Sequence, residues 1–220
     1  MELKEMINKL HHGDCLELMS TMPKNSVDVT LTDIPYGEVS RESGGLRNLD
    51  KGKADIIGFN LEEFTKESIR VTKGTVMIFC GTQQVSDIIR LMREAKMSTR
   101  ILVWQKTNPT PLNGKKLFLS GIEIAAYGRK PKATFNGSCV NTVFKYPVGR
   151  NKLHVTEKPM ALFKELISLT SNKGDVIFDS CAGAGTTCAA AALLGRKFIG
   201  VEIDPASYAV MQSRMSDIHY

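Results

Sequence analysis

The chain predicts an α/β fold, a mostly parallel sheet with helices on both faces, in one domain. Three observations carry this. Strand-like apolar runs alternate with stretches of helical periodicity along almost the whole chain. The 220 residues suffice for one sizeable core and show no internal repeat and no low-complexity linker. The composition, 42% hydrophobic and 24% charged, is that of an ordinary globular chain.

The elements justify themselves in order. "KLHH" leads into "GDCLELMSTM", where Leu16, Met19 and Met22 recur at helical spacing. "VDVTLT" is a buried strand that runs into "TDIPYG". "NLEEFTKESIRVTK" is a helix with Leu61, Phe64, Ile69 and Val71 mostly on one side. "TVMIFCG" is a strand, "VSDIIRLMREA" a helix, "ILVWQ" and "IEIAAYG" two further strands. "EKPMALFKELISLTS" is a helix with Pro159 in its first turn, where proline is tolerated. "DVIFDS" is a strand, "TTCAAAALLG" a helix stopped by Gly195, "KFIGVEID" a strand, and the piece from Pro205 a last helix. Two segments break the rhythm. Residues 37–58 hold Gly37, Gly44, Gly45, Gly52 and Gly58 among mixed charges. Residues 106–119, "KTNPTPLNGKKLFL", hold two prolines, a glycine and three lysines. Loops this long are commonly functional.

Bulk properties exclude several classes. "MELKEMINKL" lacks the apolar core of a signal peptide, and the run "CAAAALLG" is far too short to span a bilayer, so a cytoplasmic protein is expected. The five cysteines are scattered, without a CxxC pair, and the four histidines complete no metal-ligand spacing. Neither a disulfide framework nor a bound metal is expected. The net charge is +6, and it is localised. Between 106 and 152 lie Lys106, Lys115, Lys116, Arg129, Lys130, Lys132, Lys145, Arg150 and Lys152, against one acid, Glu123. Such a stretch is either a footprint for a phosphate backbone or a solvated basic face.

Three constellations can carry chemistry. In "DVIFDSCAGAGTTCAAAALLGRKFIGVEID" a strand ends in Asp179, and a turn through Gly183 and Gly185 opens a helix. The next strand then ends in Glu202 and Asp204. Glycines admit a ligand close to the backbone, and a strand-terminal acid can accept from ribose hydroxyls. A dinucleotide fingerprint is incomplete, because Cys188 stands at the third glycine. In "TDIPYG", Asp33 is an acceptor at a strand end. Pro35 biases Ile34 to an extended conformation, and Tyr36 offers a flat ring. Two acceptors and a stacking ring suit an exocyclic amino group on a planar base; the other reading is a plain strand-ending turn. In "HVTEKP", Thr156 can cap the following helix, and Lys158 can supply positive charge to a carboxylate ligand.

Together these pieces resemble the DNA amino-group methyltransferases that use S-adenosylmethionine. The family signature Asp/Asn/Ser-Pro-Pro-aromatic is matched by Asp33-Ile34-Pro35-Tyr36. "DSCAGAGTT" and "GVEID" resemble its cofactor segments, "HVTEKP" resembles its His-Pro-Thr-Gln-Lys-Pro element, and "GDCLELM" matches a recurrent early segment. The catalytic motif comes first and the cofactor motif last, the order of the beta group. The resemblance covers residues 9 to about 210. It departs at Ile34, at Cys181 (usually aromatic) and at Ala184 (usually serine).

The resemblance implies a Rossmann-like methyltransferase fold, seven-stranded and mostly parallel, with circularly permuted motifs. It implies direct methyl transfer from S-adenosylmethionine to a flipped base in double-stranded DNA. Asp33 and the Ile34 carbonyl would take the amino hydrogens, Pro35 would stiffen the turn, and Tyr36 would stack on the base. The cofactor residues it implies are Asp14, Cys15, Asp33, Thr156, Lys158, Asp179, Cys181, Ala182, Gly183, Gly185, Thr186, Thr187, Glu202 and Asp204. Lys106, Lys115, Lys116, Arg129, Lys130 and Lys132 are expected on phosphates, within DNA-contacting loops at 37–58 and 106–152. No large separate target-recognition domain fits. Aspartate at the first motif position leans toward adenine N6 over cytosine N4. Carbon-5 cytosine chemistry is disfavoured because no cysteine follows a proline. An RNA or protein methyltransferase of the same fold, a catalytically weak DNA-binding relative, and a nicotinamide dehydrogenase are the alternatives. A homodimer and a separate restriction endonuclease are the further partners considered.

Overall fold

The computed structural model describes residues 2–36, 58–111, 114–149 and 158–218. The strands are β1 (Lys9–His12), β2 (Val27–Asp33), β3 (Thr72–Cys80), β4 (Ser98–Lys106), β5 (Ile122–Arg129), β6 (Val143–Tyr146), β7 (Val176–Asp179) and β8 (Lys197–Glu202). The helices are α1 (Leu3–Met6), α2 (Cys15–Thr21), α3 (Leu61–Val71), α4 (Val85–Glu94), α5 (Met160–Thr170), α6 (Thr186–Leu193) and α7 (Pro205–Ser216). All eight strands form one sheet in the order β1-β8-β7-β2-β3-β5-β4-β6. Among the described residues only β5 runs against the rest: its pairings with β3 and β4 are antiparallel and every other pairing is parallel.

Among the described residues the sheet has one strand more than the seven expected. The addition is β6, "VFKY", an edge strand parallel to β4 with Val103 opposite Val143. Four residues with one buried side chain leave little period-2 signal in the sequence. The stretch 106–152 is therefore not one loop, since it contains both β5 and β6.

Alternating side chains divide the core into two layers. Val76, Ile78 and Cys80 of β3 face a cluster with Met19 of α2, Phe64 and Ile69 of α3, and Ile88 and Met92 of α4. Met77 and Phe79 face the other cluster, with Leu162, Phe163, Leu166 and Ile167 of α5 and Ala189 to Ala192 of α6. Each large apolar side chain buried in this way contributes about 1.5–3 kcal/mol. Local sequence sets the helix starts. Asn60 accepts from the backbone of Glu62 and Glu63 at the head of α3, and Asp204 accepts from Ser207 at the head of α7. Pro159 sits just before α5, as its cap residue, one position earlier than expected.

Topology places the ligand crevice. From β7 the chain passes through α6 to β8 on one side, and from β2 through α3 to β3 on the other. The strand order thus reverses between β7 and β2. In open α/β sheets a crevice forms outside the carboxyl ends of the strands at such a switch point.

Candidate active site

The carboxyl ends of the parallel strands collect most of the candidate residues on one edge. Gly13 and Asp14 follow β1, Glu202 ends β8, Asp179 ends β7, Asp33 ends β2 and Lys106 ends β4. Because β5 is antiparallel, it is its beginning that reaches this edge, and with it comes Glu123.

These groups build a buried charge cluster around Asp33. The Tyr36 hydroxyl donates to Asp33 Oδ1 at 3.0 Å and lies 3.2 Å from Glu123 Oε2. The Lys158 ammonium donates to Asp33 Oδ2 and lies 2.9 Å from Glu123 Oε2. Lys106 lies 2.9 Å from Glu123 Oε1 and over the Trp104 ring. Lys158 also lies over the rings of Tyr36 and Phe79. Two carboxylates thus balance two ammonium groups.

Their acidities diverge. Burial raises the Asp33 carboxyl above the usual range, an effect that Lys158 opposes without cancelling. Burial also acts on Glu123, but Lys158 and Lys106 outweigh it and hold that carboxyl low. Burial would lower the Lys158 ammonium, yet Asp33 and Glu123 prevail and keep it high. Burial and the two adjacent acids raise the Tyr36 phenol, which therefore remains a donor.

The departure at Ile34 has a structural account. Its backbone N–H donates to the Phe79 carbonyl at 3.1 Å, continuing the β2–β3 ladder, and its side chain is buried in the first core cluster. A proline there has no N–H to give. Among the described residues nothing donates to the Ile34 carbonyl. Gln84 fixes the next peptide: its Nε2 donates to the Pro35 carbonyl at 3.0 Å, and its Oε1 accepts from Gly81 at 2.7 Å.

The glycine-rich turn lies alongside. Gly183 and Gly185 have φ of +50° and +78°, where a side chain is strained. Gly183 N–H donates to Glu202 Oε2 at 2.7 Å, and Asp204 N–H to Glu202 Oε1 at 2.8 Å. Cys181 N–H donates to Asp179 Oδ1 and to Thr32 Oγ1, each at 3.1 Å, which ties the turn to β2. Asp179 is 3% exposed, and burial pushes its carboxyl up to about 7. Ala182, Thr186 and Thr187 are buried in the turn and the first residues of α6. Cys188, at the expected third glycine, packs against Gly200 of β8, where an added Cβ would meet its sulfur at 2.6 Å. The close helix–strand approach is kept, with the glycine on the strand.

The family model of DNA methylases, N6/N4 type, matches residues 27–213. The chain belongs to the N6/N4 DNA methylase family. It is 29% identical to the type II methyltransferase M2.DpnII of Streptococcus pneumoniae, over 94% of this chain and 88% of that protein. It is also 29% identical to the DNA adenine methyltransferase YhdJ of Escherichia coli K12, over 95% of this chain and 83% of that one. Among solved structures, the M1.HpyAVI–SAM complex superposes with a TM-score of 0.73 at 25% identity, covering 94% of this chain and 98% of the other.

As a DNA methylase of this family the protein uses S-adenosylmethionine. The residues present fit it. A Cβ built on Gly183 would meet nothing within 4 Å, so the turn faces open space. The carboxylates of Asp179 and Glu202 suit a ligand bearing an ammonium, a sulfonium and ribose hydroxyls. Asp14 and Cys15 stand at the head of α2, where Asp14 Oδ1 accepts from Leu16 and Glu17 at 2.7 and 3.1 Å. Cys181 lies against Cys15; that contact and burial hold its thiol well above the ordinary range. Thr156 lies outside the described residues, as does nearly all of the 37–58 loop.

Two expectations shift. Lys158, read as a partner for a ligand carboxylate, is bound to the protein's own Asp33 and Glu123. The basic stretch divides, because β5 carries the chain across the sheet. Lys106, Lys115 and Lys116 lie at the Asp33 edge, with Lys106 largely buried in the cluster and the other two exposed. Arg129, Lys130 and Lys132 lie at the opposite edge, an eight-residue strand away, roughly 25 Å. There Lys130 Nζ donates to the Ile69 and Thr72 carbonyls, and an Arg129 nitrogen donates to Ala133 O at 2.6 Å. The charges of Arg129 and Lys130 serve the fold, and Lys132 is exposed. Glu123, which completes the cluster around Asp33, lies outside every motif of the sequence. Its signal was a single acid among nine bases, inside an apolar strand.

Proposed function

We propose that the protein methylates the N6 amino group of adenine in double-stranded DNA, with Asp33 as the acceptor of the amino hydrogens. The observation that carries this reading is the Asp33 cluster at the switch point, beside the glycine-rich turn. The cofactor supplies an already activated methyl group. The amino nitrogen is a poor nucleophile because its lone pair is delocalised into the ring. Acceptors at Asp33 and at the Ile34 carbonyl draw on its hydrogens and favour a lone pair directed out of the ring plane.

Each Asp33 oxygen already accepts one bond and keeps a further lone pair. Burial makes Asp33 a better base than an ordinary aspartate, which suits a group that must receive a proton as the nitrogen becomes cationic. Glu123 takes up part of the Lys158 charge, so Lys158 orients Asp33 without wholly neutralising it. Tyr36 orients the other oxygen and offers its ring to the extruded base. Aspartate at the head of the motif supports adenine over cytosine.

The test is methyl transfer to duplex DNA with labelled S-adenosylmethionine, followed by nucleoside digestion and mass spectrometry. N6-methyladenine is expected, with a loss of about 10²–10³-fold in Asp33→Ala. N4-methylcytosine as the product would replace the adenine assignment, and equal activity in Asp33→Ala would sink the mechanism.

A further inference from the structure

The segment joining β4 to β5 carries an apolar tip that the site described above does not use. Phe118 is fully exposed, and Leu117, Leu119 and Ile122 are exposed beside it. Lys115 and Lys116 precede them and are exposed as well. Contiguous apolar surface on a soluble fold marks a contact site.

The tip stands on an anchored base. Lys106 N–H donates to Gly121 O at 2.8 Å, closing the segment at its neck. Thr107 N–H donates to Tyr146 O, and the Asn108 side chain both donates to and accepts from Val148, at 3.1 and 2.6 Å. Near the tip, Gly114 N–H donates to Pro111 O and Gly121 N–H to Leu119 O. The neck also belongs to the active-site cluster. Lys106 enters the segment and Glu123 follows its exit, the two are ion-paired at 2.9 Å, and Glu123 faces the Tyr36 hydroxyl.

Charge selects the occupant. Between Lys106 and Lys132 the chain has one acid, Glu123, and that acid is already neutralised by two lysines. A second copy of the chain would bring like charges together at this tip, whereas a duplex offers phosphates to the lysines and base steps to the apolar side chains.

We propose that the 114–122 tip is a duplex wedge: Phe118 enters the base stack beside the target nucleotide while Lys115 and Lys116 hold flanking phosphates. The wedge rests on the reading of double-stranded DNA as substrate. Unstacking a step next to the target lowers the cost of turning the base toward Asp33.

The full chain supports a direct test. Its one tryptophan, Trp104, is 2% exposed, so Phe118→Trp introduces the single indole open to acrylamide quenching. Labelled plasmid-derived duplex reports binding by anisotropy in parallel. The expected result is an indole freely quenched in the protein alone, dimmed and shielded at least fivefold on duplex. Phe118→Ala should bind duplex about tenfold more weakly, with its thermal melt unchanged. Duplex binding with the indole still accessible overturns the wedge and leaves the substrate reading intact. So does an indole already shielded before DNA is added, which would mean that a second copy covers the tip. Failure of the wild-type chain to bind duplex overturns both.

Discussion

Glu123→Gln is the substitution that most directly tests how the Asp33 cluster is balanced. The side chain keeps its shape and loses its charge, so Lys106 loses its carboxylate partner and Lys158 keeps Asp33 alone. At 2.9 Å and an effective dielectric of 20, each lost ion pair is worth about 6 kcal/mol of gross attraction. Desolvation consumes most of that, and breaking a buried pair from one side costs about 3–5 kcal/mol net. Glu123 is 20% exposed, so water can relieve the stranded ammonium groups and the lower figure, about 3 kcal/mol, applies. Removing a neighbouring negative charge also lowers the Asp33 carboxyl. If methyl transfer needs ionised Asp33, the acid limb of the pH–rate profile moves to lower pH. The rate on the plateau falls about tenfold, because a less basic Asp33 draws less on the amino hydrogens. Urea unfolding and methyl transfer from pH 5 to 9 measure both effects. An unchanged acid limb in a folded variant, with the plateau rate preserved, would refute the coupling of Glu123 to Asp33.

Three further outcomes are expected. Ile34→Pro, which restores the residue usual in the family motif, destabilises this chain by about 1–3 kcal/mol in urea because the Phe79 carbonyl loses its donor; an unchanged midpoint would contradict this. For Asp179, burial lifts the carboxyl from the ordinary aspartate range up to about 7, so between the two the folded protein holds a proton that the unfolded chain does not. Stability of the ligand-free protein therefore falls as pH rises through that window, by up to about 4 kcal/mol, and Asp179→Asn flattens the dependence; parallel melting profiles for the two proteins would exclude it. Replacing Lys115 and Lys116 together by alanine lowers the slope of log affinity for duplex against log salt by about 1.8, whereas Lys130→Met leaves the slope alone and lowers stability; the reverse pattern would return DNA contact to the far edge.

Much of the site was legible in the chain as written. Asp33 and the glycine-rich turn are local signals: an acid, a proline or a glycine where an apolar run stops reports a strand end with special backbone needs. The alternation of periodicities then requires parallel strands, and parallel strands bring their carboxyl ends to one edge. Asp14, Asp179, Glu202 and Asp33 follow from that rule without coordinates. Glu123 does not, because its place depends on the direction of one strand. Nothing in "IEIAAYG" distinguishes a parallel strand from an antiparallel one. The same reversal separated Lys115 and Lys116 from Arg129, Lys130 and Lys132, which the linear sequence had grouped as one basic surface.

Sequence alone determined the α/β class, the helix and strand periods, the order of the motifs and the types of residue at the crevice. Each is written in local spacing, and local spacing survives in a linear string. Only the tertiary structure decided the partners: Lys158 on Asp33 and Glu123, Tyr36 donating to Asp33, and the Ile34 N–H on Phe79. Those contacts join residues far apart in the chain and are set by strand order and direction. A buried charge is stable only where the fold delivers its counterpart, so the chemistry of Asp33 became readable once β5 was seen to run against its neighbours.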